Sequence, residues 1–470
     1  MNFRLFDKEI YNRRREALKK MTGSGIILLL GNEESSMNYK DNWYPFRQDS
    51  NFLYYFGLNV AGLAAAIDTE SGDEIIFGNE LSIDDIIWTG PLPTLTEMAY
   101  AAGASVVQPY DSIKAFIQKG VSSKRKIHFL PPYRPENRQK LSEWLNEPIG
   151  KINALASTKL IHTIISQRSY KEPCEVEEMN KAAYISAEMH LAAMYFAQAG
   201  KKEFEISAKL KEAAFSHNAG LSFNPIVTIH GETLHNTYSG NTVKDGDIIL
   251  CDAGAASDMQ YAGDLTTTFP AGRKFTTQQK ELYEIVLAAQ EYAVSLLKPG
   301  VSFKSIHLLT CEKLTEGLKQ IGLMKGDTKE AVAEGAHTLF FQCGLGHLIG
   351  LDVHDMEDLG EELVGYSDTL KKDYRFGLKS LRLGRELDTG FTLTVEPGLY
   401  FIPSLMDKWE SEDKLSQFIN YDKVKQYRNS RGIRIEEDYL ITENGSIRLG
   451  KGLPKTIQEI ENIRQVHTSH

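Results

Sequence analysis

The sequence predicts a mixed α+β chain, with a carboxy-terminal α+β domain at 171–470 preceded by a smaller α/β domain at 1–170. Three observations carry this expectation. The length, 470 residues, exceeds the roughly 250–300 at which a single core stops growing. The first 165 residues alternate short apolar runs with helical stretches. Beyond Pro173, long helical stretches are grouped between hairpin-like strands, a pattern of α+β folds rather than of a regular parallel sheet.

In chain order, "FDKEIYNRRREALKKM" reads as a charged helix with Phe6, Ile10, Leu18 and Met21 as its apolar positions. "GIILLLG" is a buried strand, and "AGLAAAIDTESGDEIIFG" is two strands around a Ser-Gly turn. The aromatic run "FLYYF" belongs to packing, and Trp88 in "IIWTG" is expected to be buried. Pro173 opens a Glu-, Ala- and Met-rich helix that runs toward Gly200, because a proline costs nothing at the first helical position. Helices follow at Glu203 to Asn218, Thr277 to Leu297 and Phe303 to Ile321. The strands are "GDIILCDAG", "YAGDLTTTFP", "FTLTVEPGLYF" and "GIRIEEDYLIT", and the polar, helix-prone stretch Ile402 to Asn429 reads as a surface insertion.

Composition removes several classes. With 42% hydrophobic and 25% charged residues, the chain resembles neither a disordered nor a fibrous protein. The net charge of −10 is spread without a block of like charges, so nucleic acid is not an expected partner. "IILLL" is far too short for a membrane span and lacks the cleavage site of a signal peptide. Four dispersed cysteines without a CxxC pair argue against a disulfide framework or a thiolate zinc site, and place the chain in a reducing cytoplasm.

The chemistry lies in acidic residues that read as strand positions. Asp252 ends the apolar run "IILCD", Asp264 lies in its β partner, and Glu396 and Glu436 interrupt two further strands. Each alone has an ordinary reading as a turn or edge residue. Together they are harder to dismiss, because a buried carboxylate costs several kcal/mol unless a cation compensates it. If all four converge with His347, two divalent cations balance their charge. Oxygen-rich ligation with one nitrogen favours Mn²⁺, Co²⁺ or Fe²⁺, with Zn²⁺ also able to enter. Two such ions about 3.5–4 Å apart can share a hydroxide that attacks a polarised carbonyl, which suits hydrolysis.

These residues stand in "DAGAASDMQYAGDLTTTFP", "GLGHLIGLDVHD", "TVEPGLYF" and "RGIRIEED", and the chain here resembles the aminopeptidase P and prolidase group. That group's "pita-bread" catalytic domain is shared with methionine aminopeptidase and creatinase. "YPFRQDSNFLYYFGL" and "IIWTG" resemble the group's non-catalytic amino-terminal domain, which methionine aminopeptidase lacks.

The resemblance implies two metals, Mn²⁺ first, on Asp252, Asp264, His347, Glu396 and Glu436, with Asp264 and Glu436 bridging. It implies that His235 lies near the scissile bond and that His354 assists substrate binding or charge stabilisation. Glu396 is its general acid/base, Arg382 a substrate-side arginine, and Arg434 a support for the ligating carboxylates. It also implies a homodimer or homotetramer in which a tryptophan near Trp88 reaches a neighbouring active site.

The expected reaction is cleavage of the amino-terminal Xaa-Pro bond of small peptides, as in an Xaa-Pro aminopeptidase. The alternative is an Xaa-Pro dipeptidase, toward which "SLRLGREL" and the 402–429 insertion lean. A non-enzymatic binding module of the same fold and a creatinase-like amidinohydrolase fit less well, since the full ligand set is present. Three departures stand out. Asp252 and Asp264 are one residue further apart than in the group, which predicts an extra residue or bulge. "TTT" replaces the usual "TRT", and Cys343 stands where the group has a histidine.

Overall fold

The computed structural model describes residues 4–104 and 106–466. The chain divides into two compact units, Met1–Arg168 with Met356–Leu363, and Ser169–Asp355 with Val364–His470.

The first unit is built on a five-stranded sheet. Its order is Val106–Pro109, Glu74–Gly78, Ala64–Asp68, Ile26–Leu30 and Ile127–His128. The two outer pairs are parallel and the inner pairs antiparallel. Ile26, Leu28, Ala64, Ala66 and Phe77 bury one face of this sheet against Ile113, Ile117 and Trp144. The first helix, Lys8–Thr22, differs from the expected pattern. Its buried positions include Tyr11, Arg14, Arg15 and Leu18, spaced i, i+3, i+4, i+7, whereas Met21 is exposed. The sequence pattern missed this because two of the inward residues are arginines. Arg15 satisfies its guanidinium on Glu74 (2.6 Å) and on the carbonyls of Tyr55 and Ala102.

"FLYYF" falls in the helix Ser50–Phe56, every residue of which is buried. Trp88 corrects its expectation. It is 86% exposed on the helix Ile83–Thr89, which buries no residue at all.

The second unit has the helices read from the sequence, at Pro173–Phe196, Glu203–Ser216, Thr277–Ser295 and Phe303–Gln320. Its sheets are antiparallel, as hairpin-like strands require. Ile248–Ala253 is central between Leu265–Pro270 and Ile226–Thr228, and Glu437–Thr442 is central between Thr392–Val395 and Gly445–Arg448.

Two long strands expected from the sequence are each broken at a carboxylate. "FTLTVEPGLYF" splits into Thr392–Val395 and Gly398–Tyr400, with Glu396 and Pro397 between; Pro397 has no N–H to continue a ladder. "GIRIEEDYLIT" splits into Gly432–Arg434 and Glu437–Thr442 around Ile435 and Glu436. The two broken strands still pair with each other in one register, Val395 opposite Glu437 and Gly398 opposite Arg434, with the Ile435 N–H donating to the Pro397 carbonyl (3.3 Å) between them, so each acidic residue sits at an interruption of one antiparallel pair. Main-chain bonds in both directions between Thr266 and Glu436 join this pair to the Leu265–Pro270 strand at that point.

The 402–429 stretch is a further correction. It forms the helices Pro403–Ser411 and Tyr421–Gln426, and its Met406, Trp409, Phe418, Ile419 and Val424 join the main core of the second unit. Its polar residues line the outer face of an amphipathic element rather than a surface insertion.

Candidate metal centre

Each predicted site residue can be traced to the element that carries it. Asp252 lies in Ile248–Ala253, where it pairs with Ile226 on one side and Thr266 on the other. Asp264 stands one residue before Leu265–Pro270. Of the extra residue or bulge expected between them, the bulge is absent. The register that pairs Ile248 with Pro270 continues unchanged to Ala256 and Ala262, and the extra length is taken up at the tip, where Gln260 has a positive φ of 71°. His347 comes from the loop after Phe341, held to Thr394 by main-chain and hydroxyl bonds. Gly346 allows that approach, since a Cβ there would lie 2.0 Å from the Thr394 carbonyl.

Asp252, Asp264, His347, Glu396 and Glu436 all line one cavity of about 450 Å³, together with His235, His354, Arg382 and Arg434. Within it, ligand-type atoms of Asp264, His347 and Glu436 lie within 4.8 Å of one another. His347 Nε2 is 3.4 Å from Asp264 Oδ2 and 3.8 Å from Glu396 Oε1. Its Nδ1 lies 3.0 Å from the Leu348 carbonyl, which can only accept, so the hydrogen is on Nδ1 and the Nε2 lone pair faces the carboxylates. The His354 ring lies 4.2 Å from that of His347, centroid to centroid.

Arg434 organises the carboxylates. Its Nη2 donates to Asp252 Oδ2, its Nη1 to Tyr400 Oη (3.0 Å) and its Nε to Thr266 Oγ1 (3.1 Å). Thr266 in turn donates to Glu436 Oε2 at 2.6 Å. Asp438, behind the cavity, accepts from the Asp264 main-chain N–H at 3.0 Å.

The electrostatics of this group call for added positive charge. Burial, then the charges of Asp252, Asp438 and Glu396, pushes the Asp264 carboxyl far above its usual range. Burial followed by Asp264 does the same to Glu436, and burial raises Glu396. Asp264 Oδ1 is buried with no hydrogen-bond partner among the described residues. An unmet acceptor in a crowd of carboxylates beside an imidazole lone pair fits divalent cations, and the O-rich, single-N donor set suits a hard or borderline ion.

Threonine and tyrosine partners escaped the sequence reading, although strand alternation contained the signal. Thr266 is two residues after Asp264, and Tyr400 four after Glu396. The second threonine of "TTT" points the other way. Thr267 Oγ1 lies 2.8 Å from Nδ1 of the buried His190, whose Nε2 reaches the Ala253 carbonyl. Cys343 lies 3.8 Å from Tyr400 Oη and lines the cavity, with its thiol pushed up to about 12, chiefly by burial.

The loop carrying His235 is closed by a residue the sequence did not single out. Glu203, fully buried, accepts from the Ile229 N–H (2.9 Å) before His235 and from the Asn241 N–H (3.1 Å) after it. Burial first, then the Arg434 charge, lowers the His235 pKa and keeps its imidazole neutral near pH 7.

Comparison with known proteins agrees with this architecture. Residues 177–443 match the model of metallopeptidase family M24, and residues 10–128 match the aminopeptidase P amino-terminal domain. The Xaa-Pro dipeptidase of Mus musculus is 32% identical over 467 residues, covering 96% of this chain and 92% of the relative. The Xaa-Pro aminopeptidase of Haemophilus influenzae is 30% identical over 461 residues, covering 97% of each. Among solved structures, zinc-substituted Escherichia coli aminopeptidase P in complex with product superposes with a TM-score of 0.81 at 27% identity, over 99% of this chain and 100% of that one. Pseudomonas aeruginosa aminopeptidase PepP gives 0.81 at 29%, with the same coverage. By the family match over more than half its length, the chain belongs to metallopeptidase family M24, in its aminopeptidase P and prolidase group.

Proposed function

We propose that the chain is a metal-dependent Xaa-Pro aminopeptidase, which cleaves the amide before proline at the second position of short peptides. The observation that carries this reading is the cavity wall, where crowded buried carboxylates, one with an oxygen unpartnered among the described residues, face an imidazole lone pair. Asp252, Asp264, His347, Glu396 and Glu436 would hold two divalent cations, Mn²⁺ foremost. Bound, such ions would supply Lewis acidity toward the scissile carbonyl and would lower the pKa of a water so that it is nucleophilic at neutral pH.

The chain's own groups do the rest. Glu396 is the best placed carboxylate to move a proton to the leaving proline nitrogen. Its side chain is 20% exposed to the cavity, and burial raises its proton affinity toward the working pH. Neutral His235 carries one ring N–H, which can donate a hydrogen bond to the developing oxyanion. His354, against His347, presents a second imidazole to the substrate. Arg434 keeps Asp252 and, through Thr266, Glu436 in fixed orientations. Residues 171–470 would form the catalytic domain and 1–170 the non-catalytic one.

A second reading, Xaa-Pro dipeptidase, is supported by Arg382. Arg382 lines the cavity, where the free carboxylate of a dipeptide would find a cation. Hydrolysis of Xaa-Pro is to be compared with that of Xaa-Pro-Xaa-Xaa. The aminopeptidase reading expects the tetrapeptide to be cut with the higher kcat/KM. Cleavage of the dipeptide alone would replace it with the second reading.

The exposed Ile83, Ile87 and Trp88 support a homodimer or homotetramer. No helix among the described residues is long and apolar enough to cross a membrane. A cytoplasmic location rests on the dispersed cysteines.

A further inference from the structure

Lys171 and Asp355 form an ion pair in which Nζ and Oδ2 are 2.8 Å apart and each side chain is 1% exposed. Neither residue lines the cavity. Two ions are taken fully out of water only at a cost, so their geometry must be held by further bonds. Here both ends are held. The Lys171 N–H donates to the Gly390 carbonyl (2.9 Å), two residues before the Thr392–Val395 strand. The other carboxylate oxygen of Asp355 accepts from the Asp352 N–H at 3.3 Å. Gly350 closes the turn on this carboxylate, since a Cβ there would lie 2.5 Å from Asp355 Oδ2.

The turn connects the pair to two site histidines. The Asp355 N–H donates to the Leu348 carbonyl at 2.9 Å, the same oxygen that lies 3.0 Å from His347 Nδ1. That carbonyl sets which nitrogen of His347 is free. Asp355 also directly follows His354, whose ring rests against His347. Displacing Asp355 therefore disturbs both the acceptor that fixes the His347 tautomer and the placement of the His354 ring.

We propose that Lys171 and Asp355 are positioning residues of the peptidase site. Lys171 pins the carboxylate, the carboxylate holds the turn from Leu348 to Asp355, and the turn presents His347 and His354. The proposal rests on the Xaa-Pro peptidase reading, and its test separates the two.

The full chain is compared with Lys171→Met, Lys171→Arg, His354→Ala and the double variant Lys171→Met/His354→Ala. The readouts are Mn²⁺ affinity, kcat and KM. Lys171→Met is expected to weaken Mn²⁺ binding by roughly 10–100-fold, as loss of a partner behind a metal ligand does. Lys171→Arg, which keeps the charge, recovers part of that loss. In the His354→Ala background, Lys171→Met costs a smaller factor in kcat/KM than in the wild type, because part of its effect passes through the missing ring. A folded Lys171→Met variant with wild-type Mn²⁺ affinity, or with the same kcat/KM loss in both backgrounds, overturns the proposal. If Lys171→Met does not fold, Asp355→Asn, which keeps the shape and one acceptor, is read by the same criteria. A wild-type chain that binds Mn²⁺ but cleaves no Xaa-Pro peptide overturns the peptidase reading, and the Mn²⁺ affinities still decide the role of the pair.

Discussion

Asp264 holds one carboxylate oxygen in hydrogen-bond range of nothing among the described residues, while burial, and then three other carboxylates, raises its proton affinity. A cation resolves that conflict, and so does removal of the charge, and the two remedies have opposite consequences. Asp264→Asn is expected to leave the metal-free chain at least as heat-stable as the wild type, since like-charge repulsion is relieved. The same change should lower Mn²⁺ affinity and kcat/KM by more than about a hundredfold, beyond the roughly 10–100-fold lost with a group behind a ligand. Thermal unfolding without metal and peptide kinetics with it check both halves, and wild-type activity would remove Asp264 from the ligand set. Cys343 gives a second residue-scale prediction. Its thiol, pushed up to about 12 mainly by burial, stays protonated at neutral pH. Iodoacetamide at pH 7.5 should leave peptidase activity unchanged over minutes, and rapid inactivation prevented by Cys343→Ala would show that the thiol is reactive after all.

At the scale of the element, the positions of the acidic residues explain what the sequence made legible. Asp252 and Asp264 stood out because a carboxylate is out of place in an apolar strand pattern, and the hairpin does pair their neighbourhood in constant register. Glu396 and Glu436 stood out for the same reason, yet the strands read around them are broken there. The partner and register persist across the break, and the sequence pattern does not reveal that the main chain at Glu436 bridges instead to Thr266 of the neighbouring strand. Thr266, Tyr400 and Lys171 went unread because threonine, tyrosine and lysine are ordinary in their segments and gain meaning only from the groups they touch.

The helix Phe303–Gln320 and the short turn Ala336–Leu339 carry a testable pH dependence. Burial first, then His337, holds His307 at about 3, and burial first, then Arg375, holds His337 at about 4. Both values lie below the ordinary histidine value of about 6.5, so the unfolded chain binds more protons than the folded one between there and pH 4. Their contribution to stability is complete above about pH 6.5 and declines as pH falls, by up to about 1.4 kcal/mol per pH unit for each histidine. Urea unfolding at pH 7 and pH 5 should show a smaller loss for His307→Leu than for the wild type. An equal loss would mean that His307 is not held neutral by the fold.

For the molecule as a whole, the helix and strand pattern of the sequence changes near residue 170, and the compact units change at Arg168, with Met356–Leu363 joining the first for no reason visible in the sequence. The exposure of Trp88 was not visible there either. A tryptophan between apolar residues reads as core, and only the structure leaves Ile83, Ile87 and Trp88 facing outward from a seven-residue helix. If that face joins copies of the chain, Trp88→Ala should shift the assembly toward smaller species in sedimentation and raise KM, while the thermal midpoint stays within a few degrees because no packing is lost. Unchanged assembly and unchanged kinetics would count against the oligomer reading.

The central claim is that the carboxylate and histidine cluster is a divalent-metal peptidase site, and metal removal tests it most directly. The purified chain is to be stripped with a chelator, dialysed, and titrated with Mn²⁺ while metal content and hydrolysis of an Xaa-Pro-Xaa-Xaa peptide are followed together. The account predicts loss of activity on stripping, binding of two ions per chain, and return of activity as they bind. Hydrolysis that survives complete metal removal, or a chain that takes up no divalent ion, would contradict it.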